Sequence, residues 1–122
     1  FGCLEGRTEI TLPAGADQSV DFTYIKDISR AICLVYEAPD LKHRQYNACG
    51  GVCYTIPELI GMVAEQAGVK VDLSIGPGRI MPRGPSLDST RLREELGFSP
   101  QYDIVSGLRE YIEWMRTANK RT

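Results

Sequence analysis

The stretch "DFTYIKDISRAI", residues 21–32, reads as a short strand that passes directly into a helix, with an aspartate at the junction. Residues 22–25 are rich in β-forming types, and Asp27 stands where an N-cap carboxylate accepts bonds from the first free helix amides. A strand that enters a helix is one unit of a layered α/β fold. The helix is predicted to stop before Pro39, and its apolar stripe comprises Ile28, Ala31, Ile32 and Val35.

A second helix is predicted from the tetrapeptide "TIPE", residues 55–58. Thr55 can cap this helix, while Glu58 reaches back to complete a capping box. Pro57 is tolerated in the first turn, and Gly68 is placed to end the helix. The helix has one apolar stripe, formed by Ile56, Leu59, Ile60, Val63, Ala64 and Ala67.

Three further strands are predicted, at residues 8–12, 44–48 and 69–75. The first leads into a loop with Pro and Gly, and the second ends at two glycines. In the third, apolar and polar residues alternate strictly, which is typical of a half-buried strand.

Two more helices complete the pattern. A short one runs from a cap at Asp88 to Gly97, and a final one begins near Asp103. The sequence therefore predicts an α/β (α+β) fold, a small mixed domain of about four helices and three to four short strands. We expect residues 1–20 to form a lead-in strand and loop, and residues 21–122 to form the domain.

Length and charge exclude several classes of protein. The chain has 122 residues, enough for one domain with its own core. A net charge of −2 and a sequence pI near 5.4 provide no field to hold nucleic acid. The sequence has no run of about 18 apolar residues, so no membrane span is predicted. The chain begins with Phe1 and not Met, which fits a processed or excised piece.

The cysteines indicate a reducing compartment. Cys3, Cys33, Cys49 and Cys53 are too sparse for a small disulfide-stapled secreted domain, so a cytoplasmic protein with free thiols is expected. Cys33 lies inside a helical pattern and is predicted to pack. The "CGGVC" pair has no second pair and only His43 nearby, whereas a zinc site needs about four ligands. No metal site is predicted.

The residue inventory contains no catalytic or cofactor-binding set. No glycine-rich turn joins a strand to a helix, as a dinucleotide site requires. With His43 as the single histidine, a Ser, His and Asp triad is not credible. None of the six tyrosines is followed by a lysine four residues later. We therefore expect no catalytic residue, and no cofactor bound by this chain itself.

One constellation points to a ligand. The loop "GPGRIMPRGP", residues 76–85, carries Arg79 and Arg83 between a predicted strand and a predicted helix. Guanidinium groups bind phosphate or carboxylate in a bidentate manner, so the pair could clamp an anionic ligand. The alternative is a solvated loop with two solubilising charges.

Three segments of the chain resemble a known family. They are "VDFTYIKDISRAI" (20–32), "YNACGGVCYTIPELIGMV" (46–63) and "SLDSTRLREELGFSPQYDIVSGLREYIEWM" (86–115). In this order they are similar to the C-terminal segments of extended short-chain dehydrogenase/reductases, the NAD-dependent epimerase/dehydratase family that works on nucleotide sugars. The resemblance extends from Val20 to Met115.

The resemblance implies a division of labour between two domains. In the family, an N-terminal Rossmann domain holds the NAD or NADP, the glycine-rich turn and the catalytic Tyr and Lys. The C-terminal part forms a lid over the sugar nucleotide, and its arginines grip the diphosphate. The resemblance thus implies that this chain is a substrate-binding domain without its Rossmann domain, inert alone, from a parent that transfers hydride to and from the nicotinamide.

The family's phosphate-binding arginines correspond only in part to residues of this chain. Many members have an arginine immediately before the "DF" of the first segment, where this chain has Val20. A second commonly precedes the aspartate matched by Asp88 by about ten residues. Arg79 is nine residues before Asp88, and Arg83 is the alternative. The resemblance therefore implies substrate binding by Arg79 and Arg83, with a substrate class that Val20 could alter.

Two other functions are also compatible with the sequence. The chain could be a stand-alone module that binds a small anion, or a structural or interaction domain without redox chemistry. If it is a separated domain, apolar faces that normally meet the Rossmann domain are bare, and a homodimer through such a face is expected. The sequence does not select the sugar, NAD or NADP, or epimerisation over dehydration or reduction.

Overall fold

The computed structural model describes residues 8–82 and 86–118. Within these ranges it contains four helices and four short strands, which confirms the predicted small α/β (α+β) fold. The elements in chain order are β1 (Glu9–Leu12), β2 (Ser19–Asp21), α1 (Ile25–Glu37), β3 (Cys53–Thr55), α2 (Ile56–Ala67), β4 (Asp72–Ile75), α3 (Thr90–Leu96) and α4 (Ile104–Ala118).

The strands form two separate two-stranded sheets. β1 pairs in parallel with β4, from Glu9 opposite Asp72 to Leu12 opposite Ile75. β2 pairs antiparallel with β3, with Ser19 opposite Thr55. The helices then pack in two pairs, α1 with α3 and α2 with α4. The first sheet therefore joins residues near the start of the described chain to the segment that precedes Arg79.

The buried core is small. Ala31, Leu92 and Phe98 form one cluster, and Leu92 and Phe98 are each 1% exposed. Partly buried neighbours surround them: Leu34, Val35, Tyr46, Ala48 and Leu96. No side chain of α2 is fully buried, although this helix has a complete apolar stripe. The apolar residues of the predicted stripe of α2 are thus only half-buried.

The prediction for α2 is confirmed at both ends. Thr55 Oγ1 accepts a hydrogen bond from the Glu58 amide at 3.3 Å, and Glu58 Oε2 accepts from the Thr55 amide at 2.7 Å. Gly68 ends the helix with left-handed backbone at φ 71°. These bonds from Thr55 lower the pKa of the Glu58 carboxyl below its usual value of 4.5.

This capping box predicts a pH-dependent contribution to stability. The folded-state pKa of Glu58 is depressed, so its contribution is present above the unfolded value and is lost as the pH falls through the folded value. We expect Glu58→Gln to lower Tm at pH 7, and we expect the difference from wild type to shrink in a thermal melt at about pH 3. The control is Glu113→Gln on the exposed face of α4. A Tm difference for Glu58→Gln that is constant with pH would contradict the prediction.

The start of α1 differs from the prediction. Residues 22–25 are not a strand, because the chain pairs with β3 earlier, at β2. The N-cap position is occupied by Tyr24, which makes no side-chain cap bond. Asp27 lies inside the first turn and is fully buried. The prediction of Asp27 as N-cap was wrong because this carboxylate bonds to a distant segment, residues 101–102.

Residues 44–48 also form no strand, contrary to the prediction. The edge of β2 pairs with β3, so the segment 44–48 has no strand partner and is held instead by side chains, including a bond from Asn47 Nδ2 to the Asp88 carbonyl at 2.9 Å. β4 is shorter than predicted because the four residues of β1 pair only with residues 72–75.

The boundaries of the last two helices are close to those predicted. α3 begins at Thr90, and its N-cap position is occupied by Ser89, so the prediction of Asp88 as the N-cap was wrong by one residue. Asp88 Oδ1 still accepts a bond from the Thr90 amide at 2.8 Å. Asp103 precedes α4 as expected and accepts a bond from the Ser106 amide at 2.7 Å. Cys33 was predicted to pack, but it is exposed, because the buried side of α1 is centred on Ala31.

Candidate functional site

The loop after β4, which carries Arg79, is hydrogen-bonded to a turn near the start of the described chain. Arg79 is exposed in the loop that follows β4. The opposite turn, residues 15–18, bonds to this loop through its backbone. The bonds are Gly15 N to Gly78 O at 3.1 Å, Ala16 N to Gly76 O at 3.1 Å and Asp17 N to Gly78 O at 3.2 Å.

Two side chains of the turn add to this attachment. Asp17 Oδ2 accepts a hydrogen bond from the Gly78 amide at 2.7 Å. Gln18 Oε1 accepts one from the Met81 amide at 2.9 Å, and the Gln18 residue is 2% exposed. Sequence reasoning did not identify Asp17 and Gln18, because their partners are 61 and 63 residues away.

Arg79 is available to a ligand on the solvent side of this loop. Among residues 8–82 and 86–118, its guanidinium is not part of any ion pair. A guanidinium with this freedom can donate two parallel hydrogen bonds to a phosphate or carboxylate group. Arg83, the second predicted site residue, lies outside the described residues.

The Asp21 carboxylate accepts hydrogen bonds from two other segments, at residues 50–51 and at Ser86. Asp21, at the end of β2, accepts bonds from the Gly50 amide at 3.0 Å and the Gly51 amide at 2.7 Å. Its Oδ2 also accepts a bond from Ser86 Oγ at 2.9 Å. The two adjacent glycines were the sequence signal for this contact, because a backbone of this kind can approach another group closely. Val20 lies next to Asp21 in β2, opposite Tyr54.

A separate cluster joins the start of α1 to α4. Lys26 pairs with Glu110, and the rings of Tyr24 and Tyr102 lie 4.7 Å apart. The hydrogen bond from Lys26 lowers the pKa of Glu110, while burial and then the charge of Glu110 raise the pKa of Tyr24. These contacts link two helices, and they lie apart from Arg79.

Beside this cluster is an open apolar groove of about 330 Å³. Its lining includes residues from α1, α2 and α4 but not Arg79. They are Phe22, Thr23, Tyr24, Ile25, Leu59, Asp103, Ile104, Gly107, Leu108 and Tyr111. The groove is almost wholly apolar, so it does not provide the charge that an anionic group requires.

The described ranges contain neither a metal-ligand cluster nor a helix that could span a membrane. Within them, no three His, Cys, Asp or Glu side chains are grouped so that they could hold a metal ion. None of the helices in these ranges has the length and apolar character needed to cross a bilayer.

No family model matches the chain. It is 34% identical over 99 residues to a dTDP-glucose 4,6-dehydratase of Streptomyces niveus, covering 76% of this chain and 28% of that protein. It is 28% identical over 118 residues to a UDP-glucose 4-epimerase of Mycolicibacterium smegmatis, covering 96% of this chain and 37% of that protein.

The fold agrees with these matches. The structure of the Bordetella bronchiseptica enzyme WbmF in complex with NAD+ and UDP superposes with a TM-score of 0.80 and 26% identity. The match covers 98% of this chain and 35% of that enzyme. The chain belongs to the extended short-chain dehydrogenase/reductases. The chain corresponds to the C-terminal part of the family, and it spans 22% to 37% of the length of the curated relatives it matches.

Proposed function

We propose that this chain is the substrate-binding domain of an NAD(P)-dependent nucleotide-sugar epimerase or dehydratase and is not catalytic alone. The observation that carries the proposal is the superposition of 98% of the chain on an enzyme solved with NAD+ and UDP. The named activities of the two curated relatives, on dTDP-glucose and UDP-glucose, support a nucleotide sugar as the substrate class.

In this proposal, Arg79 and Arg83 bind the diphosphate of the substrate. An arginine fork matches the oxygens of a phosphate group in a bidentate manner. Arg79 is exposed, and its loop is already bonded to the turn at residues 15–18. A preorganised loop loses less conformational freedom when it binds its ligand. The turn at residues 15–18, within the predicted lead-in of residues 1–20, would thus support the loop, and residues 21–122 would form the substrate-binding domain.

We assign the dinucleotide to the Rossmann domain of the parent protein. A pyrophosphate site needs a glycine-rich turn that leads into free amides at a helix start. In the described residues, Thr55 caps the start of α2 and Asp103 caps the start of α4, and neither α1 nor α3 directly follows a glycine-rich turn. These ends do not fit a dinucleotide. NAD or NADP supplies the hydride acceptor in the parent, and this chain's residues would bind and orient the sugar nucleotide beside it.

Isothermal titration calorimetry tests the assignment. We expect UDP, UDP-glucose or dTDP-glucose to bind the chain, and NAD not to bind. Arg79→Ala should weaken the binding of the nucleotide about tenfold or more, because it removes charge-assisted hydrogen bonds. Arg83→Ala is tested in parallel. Arg109→Ala, on the exposed face of α4, is the matched control and should leave the affinity unchanged.

The same titrations separate the alternatives. Equal affinity for inorganic pyrophosphate and for UDP-glucose would support a stand-alone module for small anions. Absence of binding to every nucleotide sugar would contradict the proposal and favour a structural or interaction domain. Binding of NAD would contradict the assignment of the cofactor to the Rossmann domain.

We propose that the Rossmann domain is also the natural partner of the bare apolar surface. On α1, the side chains of Ile25, Ile32 and Tyr36 are 64%, 63% and 88% exposed. Their spacing of seven and four residues places them on one face of the helix, which we call the exposed α1 face. Exposed apolar patches of this kind mark interaction surfaces.

Without the Rossmann domain, the chain should self-associate through the exposed α1 face. We expect multi-angle light scattering to show a homodimer whose proportion rises with protein concentration. The double change Ile32→Ser and Tyr36→Ser should shift the chain toward monomer, whereas Val52→Ser, at another exposed apolar residue, should not. A wild-type chain that stays monomeric over a wide concentration range would contradict this prediction.

We further propose that the protein is located in the cytoplasm. The proposal rests on its low cysteine content, because disulfide-stapled secreted domains of small size are much richer in cysteine.

A further inference from the structure

We propose that Gln18 and Asp17 are positioning residues for Arg79, which they hold in the conformation that binds the anion. This inference rests on the proposed function of Arg79. The two side chains bond to the loop on opposite sides of this arginine: Asp17 to the Gly78 amide, and Gln18 to the Met81 amide. Arg79 therefore stands in a short arch between two fixed points.

The backbone of the loop depends on this support. Gly78 has φ 91°, a conformation that other residues rarely adopt, and its carbonyl oxygen accepts bonds from the amides of Gly15 and Asp17. With the Asp17 carboxylate on its amide, both polar groups of the Gly78 backbone are bonded to the turn. The turn thus fixes Gly78, the residue before Arg79, through both its amide and its carbonyl group.

Gln18 is suited to the second fixed point by its chemistry. It is 2% exposed, and a buried polar group is unfavourable unless it is hydrogen-bonded. Its Oε1 accepts from the Met81 amide at 2.9 Å, and its Nε2 donates to the Ser19 carbonyl at 3.2 Å. A neutral amide satisfies one donor and one acceptor at this site without burying a charge.

The consequence is a loop that is ordered before its ligand arrives. Binding is weakened when a flexible segment must become ordered at the same time. Loss of either side-chain contact should free the arch and reduce anion affinity, although neither Asp17 nor Gln18 would touch the ligand. Their effect should therefore require the Arg79 guanidinium.

The test is a double-mutant cycle on the affinity for UDP, measured by calorimetry. Gln18→Met keeps a similar side-chain size but removes the acceptor of the Met81 amide. Asp17→Ala removes the other contact at an exposed residue, where folding is not at risk. We expect each change to weaken UDP binding about fivefold to tenfold, and we expect no further weakening when either is added to Arg79→Ala. Asp17→Asn, which keeps an acceptor oxygen, should restore most of the affinity.

A second readout does not depend on any ligand. By NMR, amide hydrogen exchange should accelerate at Met81 in Gln18→Met and at Gly78 in Asp17→Ala. The inference is overturned if Arg79→Ala weakens UDP binding but neither Asp17→Ala nor Gln18→Met does. Equal weakening in the wild-type and Arg79→Ala backgrounds also overturns it, because the role would then be merely structural. An Arg79→Ala protein with unchanged UDP affinity overturns the proposed role of Arg79, and this inference with it.

Discussion

Replacing Asp27 with alanine should lower the free energy of unfolding by about 3 kcal/mol, because it leaves several hydrogen-bond donors without their acceptor. The Asp27 side chain is fully buried. Its oxygens accept bonds from the backbone amides of Gln101 at 2.9 Å and Tyr102 at 3.0 Å. Arg30 Nη1 donates a third bond at 3.0 Å. One carboxylate thus attaches the segment before α4 to the first turn of α1.

Urea denaturation followed by circular dichroism measures this effect. Asp40→Ala, at an exposed carboxylate after α1, is the matched control and should change stability by less than about 0.5 kcal/mol. Asp27→Asn keeps one acceptor oxygen and should fall between the two. If Asp27→Ala and Asp40→Ala unfold at the same urea concentration, the Asp27 carboxylate does not stabilise the attachment of residues 101–102 to α1.

Replacing Gly76 with alanine should also cost about 3 kcal/mol, because the new methyl group would overlap backbone atoms that cannot move aside. A Cβ at Gly76 would overlap the carbonyl oxygen of Pro13 and would lie 2.8 Å from its carbonyl carbon. The Gly76 amide also bonds to the Leu12 carbonyl at 2.9 Å, at the end of the β1 and β4 ladder. The substitution should therefore separate the two strands where the loop of Arg79 begins.

Thermal unfolding of Gly76→Ala should be compared with that of Gly61→Ala. Gly61 lies inside α2, and a Cβ there would meet nothing within 4 Å. Gly61→Ala should raise stability by about 0.5 to 1 kcal/mol, because alanine favours the helix. A Gly76→Ala protein as stable as wild type would show that residues 13–14 can move away from β4 at little cost.

Local signals predicted the helices better than the strands. The capping box of Thr55 and Glu58 and the left-handed Gly68 involve neighbours in sequence, so α2 was predicted at both ends. A strand exists only where it finds a partner. Residues 44–48 have a β-compatible pattern but no partner, whereas β3 has only three residues and was not predicted, yet it pairs with β2.

The candidate site divides in the same way. Arg79 was predicted from the sequence to bind an anion, because guanidinium groups match the oxygens of phosphate and carboxylate groups, and this role stays a prediction. Asp17 and Gln18 could not be predicted, because nothing in their local sequence indicates partners more than sixty residues away. Asp27 was predicted to have only the local role of an N-cap, since an aspartate near a helix start is ordinarily a cap.

The sequence by itself determined the helix positions, the mixed fold class and the arginine loop, and through three ordered segments it indicated the family. These features depend on residue spacing and on caps, which act over one or two turns of chain. Only the tertiary structure decided which strands pair, why Asp27 and Gln18 are buried, and what supports Arg79. The physical reason is that buried polar groups must find hydrogen-bond partners, and here the fold brings those partners from distant parts of the chain.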